Sequence, residues 1–125
     1  MKQTYIAIVG SRSITDKEFV FSTIDCYLSN LNKDEIVIVS GGAVGIDSLA
    51  MLYAAEHNIK TEIFKPDWEK YGKSAGFIRN QQIVDRADYL LAITTGSKGT
   101  ADTIKKAEKK GIIIKVKTTK NNRNN

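Results

Sequence analysis

The sequence predicts an α/β fold, a doubly wound parallel sheet of about five strands with helices on both faces. Three observations carry that expectation. Apolar runs alternate with stretches of helical period along the 125 residues. Several runs are continuously apolar rather than alternating, the pattern of strands covered on both faces. The glycines also gather in the segments that follow the strands, where such sheets carry their ligands.

The elements follow in order. YIAIVG (5–10) reads as the first strand. TDKEFVFSTIDCYLSNL (15–31) reads as the first helix, because Val20, Ile24, Tyr27, Leu28 and Leu31 recur at spacings of three and four, with Thr15 and Glu18 as a capping box. IVIVSG (36–41) is the second strand. The helix from Ile46 to His57 sets Ile46, Leu49, Ala50 and Tyr53 on one face. TEIFKP (61–66) is the third strand, stopped by the only proline, and a helix follows from Ser74 to Ala87. YLLAIT (89–94), a helix from Thr100 to Lys110, and a strand within GIIIKVK (111–117) complete a Rossmann-like order. There is no internal repeat and no linker.

Composition narrows the function classes. No apolar run is long enough to cross a membrane, and the first apolar run is better read as a strand than as a signal peptide. The single Cys26 permits no internal disulfide and fits a cytoplasmic protein, its place in the apolar repeat reading as a packed thiol. The formal charge is +5, but residues 115–125, KVKTTKNNRNN, hold four of the 19 basic residues and none of the 14 acidic ones. Residues 1–114 are therefore 15 minus 14, or +1. The expected organisation is one domain over 1–114, then the end of the last strand and a solvated basic tail over 115–125. On this charge distribution nucleic acid is an unlikely partner. One His and one Cys leave no zinc site, and the P-loop and GxGxxG signatures are missing, so neither metal nor cofactor is expected.

Four segments carry the unusual residues: GSRSIT after the first strand, SGGAVGID after the second, PDWEKYGKSAGFIRN after the third and TTGSKGT after the fourth. Setting aside Gly10, which ends its strand, they contain seven of the nine glycines. The connections at the other end, such as NLNKDE and EHNIK, are plain polar turns. The asymmetry predicts one crevice. In SGGAVGID, Gly41, Gly42, Ala43 and Gly45 can bring backbone N–H groups close to a phosphate, although the same residues suit a tight turn. Asp47 can start the second helix or face the ligand. In TTGSKGT, Thr94, Thr95, Ser97 and Thr100 surround Gly96 and Gly99 at a helix start, a pattern suited to an anion.

Ser11 and Arg12 end the first strand, and Lys73 adds a cation to the third segment. Gly76 costs a helix about 1 kcal/mol against Ala, which suggests that the space beside it is needed. Arg79 offers a fork of donors for phosphate or carboxylate, or else an ion pair with Asp67 or Asp85, and Asn80 can donate and accept. Trp68 and Tyr71 can stack on a base or seal the sheet edge.

Together GSR, SGGAVGID, PDW, GKSAGFIRN and GSKGT, in this order over about residues 5–114, resemble the SLOG superfamily and specifically its YspA/cpYpsA-like branch. The superfamily includes phosphoribohydrolases of the Lonely-guy type and DNA-processing proteins that bind single-stranded DNA. The resemblance implies that Ser11, Arg12, Gly41, Gly42, Gly45, Arg79, Asn80, Gly96, Gly99 and Thr100 line a site for a nucleotide-derived ligand. A homodimer or higher homo-oligomer is among the expected partners. One departure matters. The hydrolase branch carries PGGxGTxxE with a catalytic Glu, whereas Thr103 stands at that position here and Asp102 is one residue off. Asp47 is the remaining weak candidate for a catalytic carboxylate. The expectation is therefore binding of a phosphate-bearing nucleotide or an ADP-ribose- or NAD-like molecule, as sensor, carrier or sequestering protein. Hydrolysis of an N-glycosidic bond and single-stranded DNA binding are the alternatives.

Overall fold

A computed structural model describes residues 2–119. Its five strands, β1 (Thr4–Gly10), β2 (Ile36–Ser40), β3 (Lys60–Ile63), β4 (Tyr89–Thr94) and β5 (Ile113–Thr118), form one sheet in the order β3-β2-β1-β4-β5. Every pairing is parallel. The helices are α1 (Lys17–Leu28), α2 (Ile46–Glu56), the single turn α3 (Trp68–Tyr71), α4 (Ala75–Arg86) and α5 (Lys98–Lys110). The chain runs outward from β1 to β3, then crosses back to β4 on the other side of β1. The order therefore reverses between β1 and β4, the point at which such sheets open a crevice.

The pleat divides the core into two. Ile6, Ile8, Ile36, Ile38, Leu91 and Ile93 point to one face and bury Val20, Ile24 and Leu28 of α1 with Ile46, Ala50 and Tyr53 of α2. Ala7, Val9, Val39, Leu90 and Ala92 point to the other, against Ile83 and Val84 of α4 and Ala107 of α5. Small residues on the second face let α4 and α5 approach closely, and each fully buried Ile or Leu contributes about 1.5–3 kcal/mol relative to exposure. Lys110 ties α5 to the end of α4 by donating to the carbonyls of Val84 and Asp85 at 2.8 and 2.7 Å. At the same end of α4 Arg86 grips Glu62 of β3 through two 2.7 Å bonds.

The details depart from the sequence reading in several places, among them β3, which ends at Ile63, and the unexpected turn α3. Helix α1 begins after Asp16, whose carboxylate accepts from Phe19 N–H, so Asp16 rather than Thr15 is the cap. Leu31 lies beyond the end of that helix and is exposed. Cys26 is exposed rather than packed, because Val20, Ile24 and Leu28 define the buried stripe and Cys26 falls off it. Gly111 belongs to the left-handed C-cap of α5 (φ 87°), and β5 starts only at Ile113. β5 runs to Thr118, so Lys115, Val116 and Lys117 are strand residues. The rest of the tail expectation falls on residues 120–125, outside the described residues. Among the described residues no helix is long and apolar enough to cross a membrane.

Candidate functional site

A cavity of about 530 Å³ opens at the carboxyl ends of β1 and β4. Of the residues expected there, Gly10, Ser11, Arg12, Ala43, Asp47, Trp68, Lys73, Arg79, Asn80, Ser97, Gly99 and Thr100 line it. Gly41, Gly42, Gly45 and Gly96 do not. A Cβ on Gly45 (φ 77°) would come within 2.6 Å of the Arg12 backbone, so this glycine lets the start of α2 pack on the first loop. A Cβ on Gly41 would fall 2.3 Å from Arg79 Nη1 and 2.9 Å from Asp47 Oδ2. The wall is also lined by Val9, Ser13, Gly76, Phe77, Ile83 and Thr103. Phe77 was legible in principle, since Phe77, Asn80 and Val84 share one helical stripe of α4. Tyr71 is not among the lining residues.

The two helix N-termini behind the loops differ. At α2 the loop ahead of the helix already faces an anion. Asp47 sits in that first turn, 6% exposed, and its Oδ2 accepts from Ala43 N–H at 3.2 Å. Burial pushes its carboxyl up to about 6, against the Ala43 bond, the Arg79 charge, a bond from Gly41 and the Arg12 charge, all of which lower it. At α5 the side chain of the cap Ser97 accepts from no helix amide, and the first helical bond runs from Ala101 N–H to Ser97 O. The amides of Lys98, Gly99 and Thr100 are left without a helical partner. No acidic residue lies in that first turn.

Hydroxyls knit this end of the cavity. Ser11 Oγ lies 3.1 Å from Thr94 Oγ1 and 3.0 Å from Ser97 Oγ, and accepts from Thr95 N–H at 2.9 Å. Ser97 Oγ in turn donates to Thr100 Oγ1 at 3.0 Å. Thr95 Oγ1 donates to the same Ser11 oxygen at 3.2 Å, and a serine hydroxyl has one proton and two lone pairs, so Ser11 cannot hold all four partners at full strength.

Arg79 is both wall and floor. Its Nε donates to Asn80 Oδ1 at 3.1 Å and its Nη1 to Gly41 O at 2.9 Å, with a longer bond to Phe64 O at 3.5 Å. Nη2 has no partner among the described residues. The ion pair with Asp67 or Asp85 does not form; Asp67 caps α3 and Asp85 accepts from Gln81. Burial lowers the Arg79 pKa, Asp47 acts in the opposite direction, and Arg12 adds to the lowering. Asn80 passes the connection on, donating to Asp102 Oδ2 at 3.1 Å, and Asp102 pairs with Lys106 at 2.7 Å. Asp102 is thus engaged away from the cavity. Thr103, at the position of the hydrolase glutamate, is buried and donates to Gly99 O at 3.2 Å. No group of three or more His, Cys, Asp or Glu that could hold a metal occurs among the described residues.

This is a Rossmann-like α/β protein with a mixed-charge cavity at its topological switch point. The chain belongs to the YspA, cpYpsA-related SLOG family, whose model matches residues 4–71. It is 35% identical over 118 residues to the Gene 61 protein of Mycobacterium phage D29, covering 87% of this chain and 92% of that one. The fold is shared with DNA processing protein A of Streptococcus pneumoniae, with a TM-score of 0.76, 19% identity and 97% of this chain covered. This chain spans 52% of that protein's length. DNA processing protein A of Helicobacter pylori matches at a TM-score of 0.74 with 21% identity, over 97% of this chain and 68% of that one. That structure is described for its single-stranded DNA binding mode.

The last comparison corrects one expectation. Nucleic acid is not to be set aside as a partner, because the same fold serves it elsewhere. The physical reason lies in averaging. A near-neutral total over residues 1–114 hides the convergence of Arg12, Lys73 and Arg79 on one cavity that holds a single carboxylate, Asp47. Local field, not net charge, governs what a cleft attracts.

Proposed function

We propose that this protein binds a phosphate-bearing nucleotide or nucleotide-derived ligand from the cytoplasmic pool, with the phosphate at the start of α5. The carrying observation is the contrast between the two helix N-termini. Asp47 stands in the first turn of α2, whereas the first turn of α5 holds no acidic residue and opens on the cavity with amides that lack a helical partner. Amides and helix dipole together favour an anion there. Arg12, Lys73 and the free Nη2 of Arg79 supply the countercharge. SGGAVGID then serves the site by positioning Asp47 and Arg79 rather than by holding the phosphate itself. Binding is favoured over hydrolysis, because Thr103 offers no carboxylate and Asp102 is committed to Lys106 and Asn80.

A single strand of DNA is the second reading, since one of its nucleotides carries the same phosphate and base and the fold neighbour from Helicobacter pylori is described as binding it. Calorimetry with AMP, adenosine and a short oligodeoxynucleotide tests these readings, with native mass spectrometry of freshly purified protein to catch a co-purifying nucleotide. AMP should bind about 10- to 150-fold tighter than adenosine, the value of a charge-assisted contact of about 1.5–3 kcal/mol. Equal affinities would overturn the phosphate assignment. Tight oligonucleotide binding without measurable AMP binding would favour the second reading, and release of free adenine would favour hydrolysis.

A further inference from the structure

We infer that Trp68, Gly76 and Phe77 form a stacking slot for the nucleobase of the ligand, at the mouth of the cavity; this rests on the nucleotide reading above. Trp68 and Phe77 are each 56% exposed, and neither joins the two core clusters. Both nevertheless line the same cavity as Arg12 and Arg79. Large rings left half in water beside a polar cleft mark a surface meant for an apolar partner. Here the partner must also reach a cationic floor, which fits a heteroaromatic ring attached to a phosphate and does not fit a lipid tail or an apolar peptide.

Gly76 supplies the independent observation. It sits in the first turn of α4 with an ordinary helical backbone, so no positive φ requires glycine there. Nor does crowding require it: a Cβ built on Gly76 meets only Trp68 Cη2, at 3.9 Å. Alanine is the better helix former at such a position. What glycine preserves is open space against the edge of the indole. Phe77, the next residue, lines the same cavity, with Lys106 Nζ 5.6 Å from its ring centroid. A flat ring admitted there would gain stacking with little demand on its sequence identity, since every base has a π-face.

Trp68 is the only tryptophan, so intrinsic fluorescence reports directly on the slot. The experiment titrates the full chain with AMP and, separately, with ribose 5-phosphate, which carries the phosphate without the base. AMP should quench Trp68 and bind about 5- to 150-fold tighter than ribose 5-phosphate, the usual worth of one stacked base. Gly76→Leu should erase that difference by filling the slot. Gly76→Ala should raise the melting temperature while weakening AMP, a pairing that a merely structural glycine would not produce. Equal binding of both compounds without quenching overturns the slot and leaves the phosphate site standing. Binding of neither overturns the slot together with the reading beneath it.

Discussion

Asp47 and Arg79 stand on either side of the space that a side chain at Gly41 would occupy. Its Cβ would come within 2.9 Å of the carboxylate and 2.3 Å of the guanidinium. The glycine is what lets a buried acid and a half-buried base share one wall without either being pushed into solvent. Each charge then moderates the other: Arg79 lowers the Asp47 pKa and Asp47 raises that of Arg79, while burial works against both.

Burial dominates for Asp47, and this makes stability depend on pH. The folded carboxyl titrates near 6 against an ordinary 3.8, so the folded state holds this proton more tightly than the unfolded chain. Well below pH 3.8 both states are protonated there and Asp47 costs nothing. As pH rises through 6 the buried charge must form, and about 3 kcal/mol of stability is lost at about 1.4 kcal/mol per pKa unit. Asp47→Asn keeps an acceptor for Ala43 N–H and removes the charge. The variant should therefore be more stable than the native protein at pH 8, by up to about 3 kcal/mol, with most of the gap closed by pH 4. Urea denaturation at the two pH values measures it. A native protein that is the more stable of the two at pH 8 would mean that the Arg79 attraction outweighs burial.

This charge arrangement was only partly legible in the sequence. The strands announced themselves because β1, β2 and β4 are apolar throughout, and the site loops because glycine concentrates at one end of the sheet. Helix α3 was missed, since a single turn held by the Asp67 cap has too few residues for a period to appear. The role of SGGAVGID was ambiguous for a different reason. A glycine turn ahead of a helix reads the same whether its amides await a phosphate or already face a carboxylate. Only the fold of Asp47 back onto Ala43 distinguishes the two.

Gly99 tests where the phosphate sits. It lines the cavity in the first turn of α5, and a Cβ there has no atom within 4 Å. Gly99→Asp thus fits without a clash and places a negative charge where the helix dipole welcomes it, worth about 0.3–1 kcal/mol of stability. The same charge would repel a phosphate at those amides. The expected result is a melting temperature that holds or rises, with AMP binding reduced at least about tenfold. If AMP affinity survives in the folded variant, the anion lies elsewhere in the cavity.

Arg79 is expected to show two effects at once, because its donors are divided between scaffold and ligand. Nε and Nη1 hold Asn80, Gly41 and Phe64, and Nη2 is left for the cavity. Arg79→Ala strips a donor from the Gly41 carbonyl and from Asn80 Oδ1, and leaving such groups unsatisfied costs about 1–3 kcal/mol. It also deprives Asp47 of its countercharge, which should raise the Asp47 pKa further and extend the loss of stability to higher pH. On the ligand side, one charge-assisted contact corresponds to a loss of about 10- to 150-fold in AMP affinity. Arg79→Lys keeps the charge but not the planar fork, so it should recover part of the affinity and little of the stability. Calorimetry and melting curves on both variants separate the contributions. Lowered stability with unchanged AMP affinity in the folded fraction would make Arg79 scaffold alone, and Arg12 and Lys73 would then have to carry the phosphate by themselves.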